Sequence, residues 1–214
     1  MNTQPINLSS LIASQINGAA TIELCIKPDE TLTISDDMGM LLTQPMIITL
    51  AANSTLAYEL REVDNTSSAK KLTRTITVRL AGAGSRADMR MIVAGQSTDA
   101  VAFKTLQHHI APHTSSELVI KSVLFDHAQL RSDNLIRIEP EAQHTNACEV
   151  NKNLILGDHA KVISIPKIEV EADEVRCEHG AAMSRLSELD LFYVQSRGIA
   201  REDAKAMLID AFLQ

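Results

Sequence analysis

The stretch Pro166-Lys167-Ile168-Glu169-Val170-Glu171-Ala172-Asp173-Glu174-Val175-Arg176-Cys177-Glu178-His179-Gly180-Ala181-Ala182 carries the strongest signal in this chain. Ile168 and Val170 alternate with Lys167, Glu169 and Glu171, the period of a half-buried strand. The same period places Cys177 and His179 on one face and Glu178 on the other. A thiol and an imidazole side by side form half of a site for a soft or borderline metal. Two ligands do not close such a site, because zinc takes four groups and iron–sulfur clusters take four thiolates. The spacing alone favours the plainer reading, a small buried cysteine beside a hydrogen-bonded histidine. The acidic run at 169, 171, 173 and 174 reads as a solvated strand face.

Upstream, alternation recurs in Ile22, Leu24 and Ile26, in Ile76, Val78 and Leu80, and in Met89, Met91 and Val93. Turn signals separate these runs: Lys27-Pro28-Asp29-Glu30, Asn53-Ser54, Gly82-Ala83-Gly84-Ser85, Ala111-Pro112-His113-Thr114 and Glu139-Pro140-Glu141. Roughly ten to fourteen strands between Thr21 and Arg176 make the chain mainly β. A sandwich, a barrel and a β-helix all fit, and no hexapeptide or nonapeptide repeat selects among them. Residues 1–20 read as a short lead-in, 21–183 as the β body, and Asp64 to Lys71 as an exposed loop.

Downstream the period changes. Leu189, Phe192 and Tyr193 recur at helical spacing, with Ser187 as the cap and Gly198 as the stop. Ala204, Met207, Leu208, Ala211 and Phe212 mark the stripe of a second helix, with Glu202 and Asp203 in its first turn. Residues 184–214 thus form a helical hairpin too short to stand alone.

Composition excludes several classes. With 27 acidic and 20 basic residues the net charge is −7, which argues against a nucleic-acid surface. Aromatic residues are 3% of the chain and Trp is absent, so base-stacking platforms are not expected. No apolar run reaches membrane-spanning length, and Met38 to Leu42 is too short and too late for a signal peptide. Three cysteines, Cys25, Cys148 and Cys177, suggest a reducing, cytoplasmic setting. The glycines at 82 and 84 imitate a dinucleotide fingerprint, but a strand and not a helix follows, so they read as a tight turn. His108, His109 and His113 flank the turn at Pro112 and share no face, and read as solvated or hydrogen-bonded loop histidines. His127, His144 and His159 are scattered singly. No hydrolase elbow, Walker sequence or paired-cysteine motif is present.

Several blocks together resemble the SufB/SufD family of the Suf iron–sulfur cluster assembly system. They are Gln107-His108-His109-Ile110-Ala111-Pro112-His113-Thr114, Ser116 to Lys121, Asn151-Lys152-Asn153-Leu154-Ile155-Leu156-Gly157-Asp158, Ile168 to Ala181, and Phe192-Tyr193 with Ser196-Arg197-Gly198-Ile199. The resemblance covers roughly Gln107 to Gln214. It implies a right-handed parallel β-helix with a small C-terminal helical domain. It implies a scaffold subunit with no turnover of its own, paired with a SufB-like subunit or a second copy of itself. A SufC-type ABC ATPase would dock on the helical tail, through Leu189, Phe192, Tyr193, Arg197, Met207, Leu208 and Phe212. The resemblance implies that iron or a nascent cluster is held transiently at a subunit interface by His179 and Cys177, with no permanently bound cofactor. Gly180 stands where SufB has a glutamate and Asn151 where SufB has its functional cysteine, so the resemblance is to SufD. The helical domain that usually precedes the β-helix is nearly absent. Two other readings remain: a structural β-helix paralogue that binds no metal, and an independent metal-dependent enzyme.

Overall fold

The structure, a computed structural model, describes residues 6–7, 21–36, 44–63 and 70–214. In chain order the strands are β1 (Ile6–Asn7), β2 (Ile22–Ile26), β3 (Thr31–Asp36), β4 (Met46–Leu50), β5 (Thr55–Glu62), β6 (Lys71–Leu80) and β7 (Arg86–Gly95). There follow β8 (Ala100–His109), β9 (Ser115–Leu124), β10 (Gln129–Ile138), β11 (Asn146–Ile155), β12 (Lys161–Val170) and β13 (Arg176–Ser184). Two helices close the chain, α1 (Glu188–Gln195) and α2 (Arg201–Leu213). The lead-in at 1–20, apart from Ile6–Asn7, the Met38 to Leu42 run and the loop at 64–69 fall outside the described residues.

Odd-numbered strands form one sheet in the order β1-β3-β5-β7-β9-β11-β13, and even-numbered strands the other, β12-β10-β8-β6-β4-β2. Every described pairing is parallel. The chain therefore winds between two facing sheets as a parallel β-helix, and the sandwich and barrel alternatives fall away. No hexapeptide or nonapeptide period marks the sequence because one coil is long and uneven. Ala100 stands beside Gln129, Asn146 beside Arg176, and Gln129 beside Lys161.

Alternation sets which side chains enter the interior. In β6, Leu72, Arg74, Ile76, Val78 and Leu80 are buried while their neighbours face outward. Buried Ile, Leu, Val and Met from the two sheets form one continuous core from Ile22 to Leu130. Arg74 and Asp36 are charged residues buried within it, and the Arg74 guanidinium meets Asp36 (Nε–Oδ2 2.9 Å), which also accepts from the Tyr58 hydroxyl at 2.6 Å.

The corners follow from residue type. Asp29, Asn53, His113 and His144 all adopt positive φ, between 55° and 60°, which Asn, Asp and His tolerate better than most residues. Coils stack so closely that a Cβ on Gly82 would lie 2.0 Å from the Ala52 nitrogen. That packing requires a residue without a Cβ at this turn. Corner stacking also aligns His113 with His144, ring centroids 4.7 Å apart, and His127 with His159 at the same distance. Histidines scattered in sequence are thus paired in space. His109 departs from the loop reading: it is the last residue of β8 and fully buried.

The helical tail docks on the outside of the odd-numbered sheet. Leu213 packs with Ile92, Val123 and Leu154, and Phe125, Leu156, Leu186, Ile209 and Phe212 surround them. Ser187 caps α1, accepting from the Asp190 N–H at 3.3 Å, and Gly198 takes φ 83° beyond its end. The buried face of α2 is rotated from the expected stripe. Ala204 and Leu213 are buried, whereas Met207 and Ala211 are exposed. Contact with the β body decides this face, not the helix periodicity.

Candidate functional site at the open end of the β-helix

The interior changes character in the later coils. Leucine and isoleucine give way to Thr105, Gln107, His109, Ser116, Ser122, Ser132, Asn134, Glu149, Asn151 and Asn153, all buried. Most are paired. Thr105 Oγ1 donates to Asn134 Oδ1 at 2.9 Å, and Asn134 Nδ2 donates to Glu149 Oε1 at 2.7 Å. Asn151 Nδ2 donates to Ser132 and Ser164 at 2.7 and 3.0 Å, and its carbonyl oxygen accepts from Asn153 at 2.9 Å. Ser122 donates to Asn153 at 2.7 Å. Such a network holds its members in one arrangement, because any broken link strands a buried polar group. Asn151 is thus a knot in this network. Three buried polar atoms of the band have no partner: both amide atoms of Gln107 and Glu149 Oε2.

Beyond Asn134 and Glu149 lies the last coil, β12 and β13, which ends the two sheets. Register assigns its inward positions. Ile168 and Val170 continue the columns of buried Ile136 and Ile138, and Met183 that of buried Asn153. Among the described residues no further coil covers them, so Ile168, Val170 and Met183 are exposed at 37%, 39% and 52%. The core is therefore open at this end, with apolar side chains and two strand edges in water.

Cys177 and His179 belong to this opening. Cys177 continues the column of buried Ala147, and His179 that of buried Glu149. Both side chains are thus on the inward phase of β13, as the i, i+2 spacing requires, and Glu178 is on the outer one, paired with Arg176 at 3.0 Å. Their surroundings differ. Cys177 is half-buried beside Ile136, Ile138, Ala142, Ala147 and Ala172. That burial, with smaller contributions from Cys148 and Glu178, pushes its thiol up to about 11. His179 is exposed. Glu149 is buried beneath it. Burial raises the Glu149 pKa, and the Asn134 hydrogen bond and His179 oppose that shift. Among the described residues no three His, Cys, Asp or Glu groups converge on a metal-sized site.

The other histidines have structural partners. His109 is held by Thr114 and Ser116 at 2.8 Å each, and burial lowers its pKa to about 4. His108 pairs with Glu139 at 2.7 Å, and His144 with Glu174 at 3.3 Å. All four acidic positions 169, 171, 173 and 174 are exposed, as expected of a solvated face. Glu149 and Asn134 escaped sequence reading. Their signal was a polar residue on the buried phase of a strand, legible only once each residue is assigned to its coil.

On the tail, Leu189, Phe192, Tyr193 and Met207 are exposed at 74%, 68%, 58% and 52%. Arg197 lies over the Tyr193 ring, 4.2 Å from its centroid. Leu208 is half-buried, and Phe212 is turned into the contact with the body. The expected docking residues therefore divide between an outward apolar set and an inward, structural one. No described helix is long and apolar enough to cross a membrane.

Comparison with known proteins agrees with this architecture. Residues 47–212 match the family model described as SUF system FeS cluster assembly, SufBD core domain. An iron–sulfur cluster assembly SufBD family protein of Synechocystis is 36% identical over 122 residues, covering 56% of this chain and 26% of that protein. The iron–sulfur cluster assembly protein SufD of Escherichia coli is 34% identical over 109 residues, covering 51% and 26%. SufD of Bacillus subtilis is 28% identical over 137 residues, covering 64% and 31%. The chain thus spans about a quarter to a third of the length of these relatives. A match over most of its own length settles the family: the chain belongs to the SufBD core family of the Suf iron–sulfur cluster assembly system.

Proposed function

We propose that this chain is a SufD-like, non-catalytic scaffold subunit for iron–sulfur cluster assembly in the cytoplasm. The observation that carries the reading is the exposed imidazole of His179 at the uncovered end of a parallel β-helix in a chain of the SufBD core family. An apolar, unpaired coil end is a surface that a second molecule stabilises by covering. The second molecule is a SufB-like subunit or another copy of this chain, and it contributes the ligands that Cys177 and His179 lack. Iron or a nascent cluster is the cargo of the joint site. His179 is the principal ligand of this chain, because Cys177 must first lose a proton that burial retains.

The outward set Leu189, Phe192, Tyr193 and Met207, with Arg197, is the docking surface for a SufC-type ABC ATPase. Docking by aromatic and arginine anchors is the usual composition of an interface centre. The full chain retains such an ATPase on co-purification, and a chain truncated after Ser184 does not. Equal retention by both removes the docking assignment.

A metal-free structural role is the competing reading, favoured by the lack of a converging ligand set among the described residues. His179→Ala separates the two. Cluster assembly in a reconstituted complex falls if His179 is a ligand and is unchanged if the chain is only a structural member.

A further inference from the structure

Glu149 has an environment that the scaffold reading leaves unexplained. Its side chain is 1% exposed, on the inward phase of β11. One oxygen, Oε1, is held by Asn134, which is itself held by Thr105, so strands β8 and β10 together fix the carboxylate. The other oxygen, Oε2, has no partner, and no ion pair reaches Glu149 among the described residues. A buried carboxylate in that state carries a desolvation cost unless a further group completes it.

The register names that group. Glu149 and His179 are direct partners across the β11–β13 ladder. Neighbouring strands lie about 4.8 Å apart, and register partners point to the same face. The His179 ring is exposed, is the register partner of Glu149 and makes no hydrogen bond with the described residues, so no competing partner holds it away from Oε2.

We propose that Glu149 is the positioning residue of His179. Its free oxygen accepts the N–H of one ring nitrogen, fixing the tautomer and aiming the other nitrogen out of the open coil toward an incoming metal. This is the carboxylate–histidine arrangement by which proteins orient an imidazole ligand. The inference rests on the reading of His179 as a ligand. Glu149 touches no cargo, and its role passes through the ring.

The experiment uses the full chain without metal, labelled with 15N-histidine, and reads the tautomer of His179 by NMR. The expected result is one dominant tautomer and a nuclear Overhauser contact between a His179 ring proton and the Glu149 side chain. Glu149→Gln replaces the accepting oxygen by a donor and shifts the tautomer ratio by about threefold to tenfold, the worth of one net hydrogen bond. His109, enclosed by Thr114 and Ser116, reports whether the fold is intact. An unchanged ratio in Glu149→Gln, with His109 undisturbed, overturns the proposal and leaves Oε2 to a buried water. If Glu149→Gln does not fold, the contact in the unmutated chain decides: present, the pair stands; absent, it falls. The ligand reading fails separately, through an inert His179→Ala in the assembly assay. A tautomer shift beside that inert variant keeps the pair and removes its metal role.

Discussion

Asp36 and Arg74 meet inside the β-helix, Nε to Oδ2 at 2.9 Å, with side chains only 3% exposed each. Asp36 also takes the Tyr58 proton donor at 2.6 Å. Strands β3, β5 and β6 are thereby tied through one buried carboxylate in a mainly apolar core. Removing one partner leaves the other charge buried. Asp36→Asn and Arg74→Met are each expected to destabilise the chain by about 3–5 kcal/mol, measured by urea unfolding. A double replacement by apolar residues of similar volume costs less than either single change. A loss within error for both single variants would show that the pair is not desolvated.

His109 supplies a pH dependence. Its pKa is about 4 in the folded chain because burial disfavours the cation, against about 6.5 when unfolded. The unfolded chain therefore binds the proton first as pH falls. The stability from burying neutral His109 is whole above about pH 6.5 and is lost between there and about 4, roughly 3 kcal/mol in all. Urea midpoints across this window fall more steeply for the natural chain than for His109→Gln. Parallel curves for the two would contradict a neutral, buried His109.

The tail is held by one face only. Leu213 is 4% exposed against Ile92, Val123 and Leu154, so Leu213→Ala is expected to cost about 2–5 kcal/mol of docking. Met207→Ser and Leu189→Ser, on exposed positions, stay within about 0.5 kcal/mol. Amide exchange in α1 and α2 reads the difference: protection collapses in the first variant and holds in the other two.

Cys177 is half-buried, with a thiol near 11, whereas Cys25 is exposed. Alkylation at neutral pH should consume Cys25 well before Cys177. The Cys177 rate should then rise about tenfold per pH unit up to its pKa, because only the thiolate reacts. Rapid, pH-independent labelling of Cys177 at pH 7 would mean that its proton is already lost.

Much of this molecule could be read from residue order. Alternation around Ile76-Val78-Leu80 and Met89-Met91-Val93 specifies strands and their buried phase, since side chains on a pleated backbone change face at each step. Ser187 and Gly198 bound the first helix by local chemistry, and the i, i+2 spacing of Cys177 and His179 sets them on one face. These are properties of neighbours in the chain.

Contacts between coils are of another kind. Glu149 lies beside His179 and His113 stacks on His144 because of how coils of unequal length fall into register, and Ile168 and Val170 stay in water because no further described coil covers them. An inward residue is buried only if a coil follows it, so Ile136 is sealed while Ile168, in the same column, is exposed. Likewise, the face that α2 buries follows from the shape of the sheet beneath Leu213 and Phe212. Local sequence sets the phase of each strand and the ends of each helix. Only the tertiary winding sets which residues share a column, and with it which polar group stands beneath the imidazole.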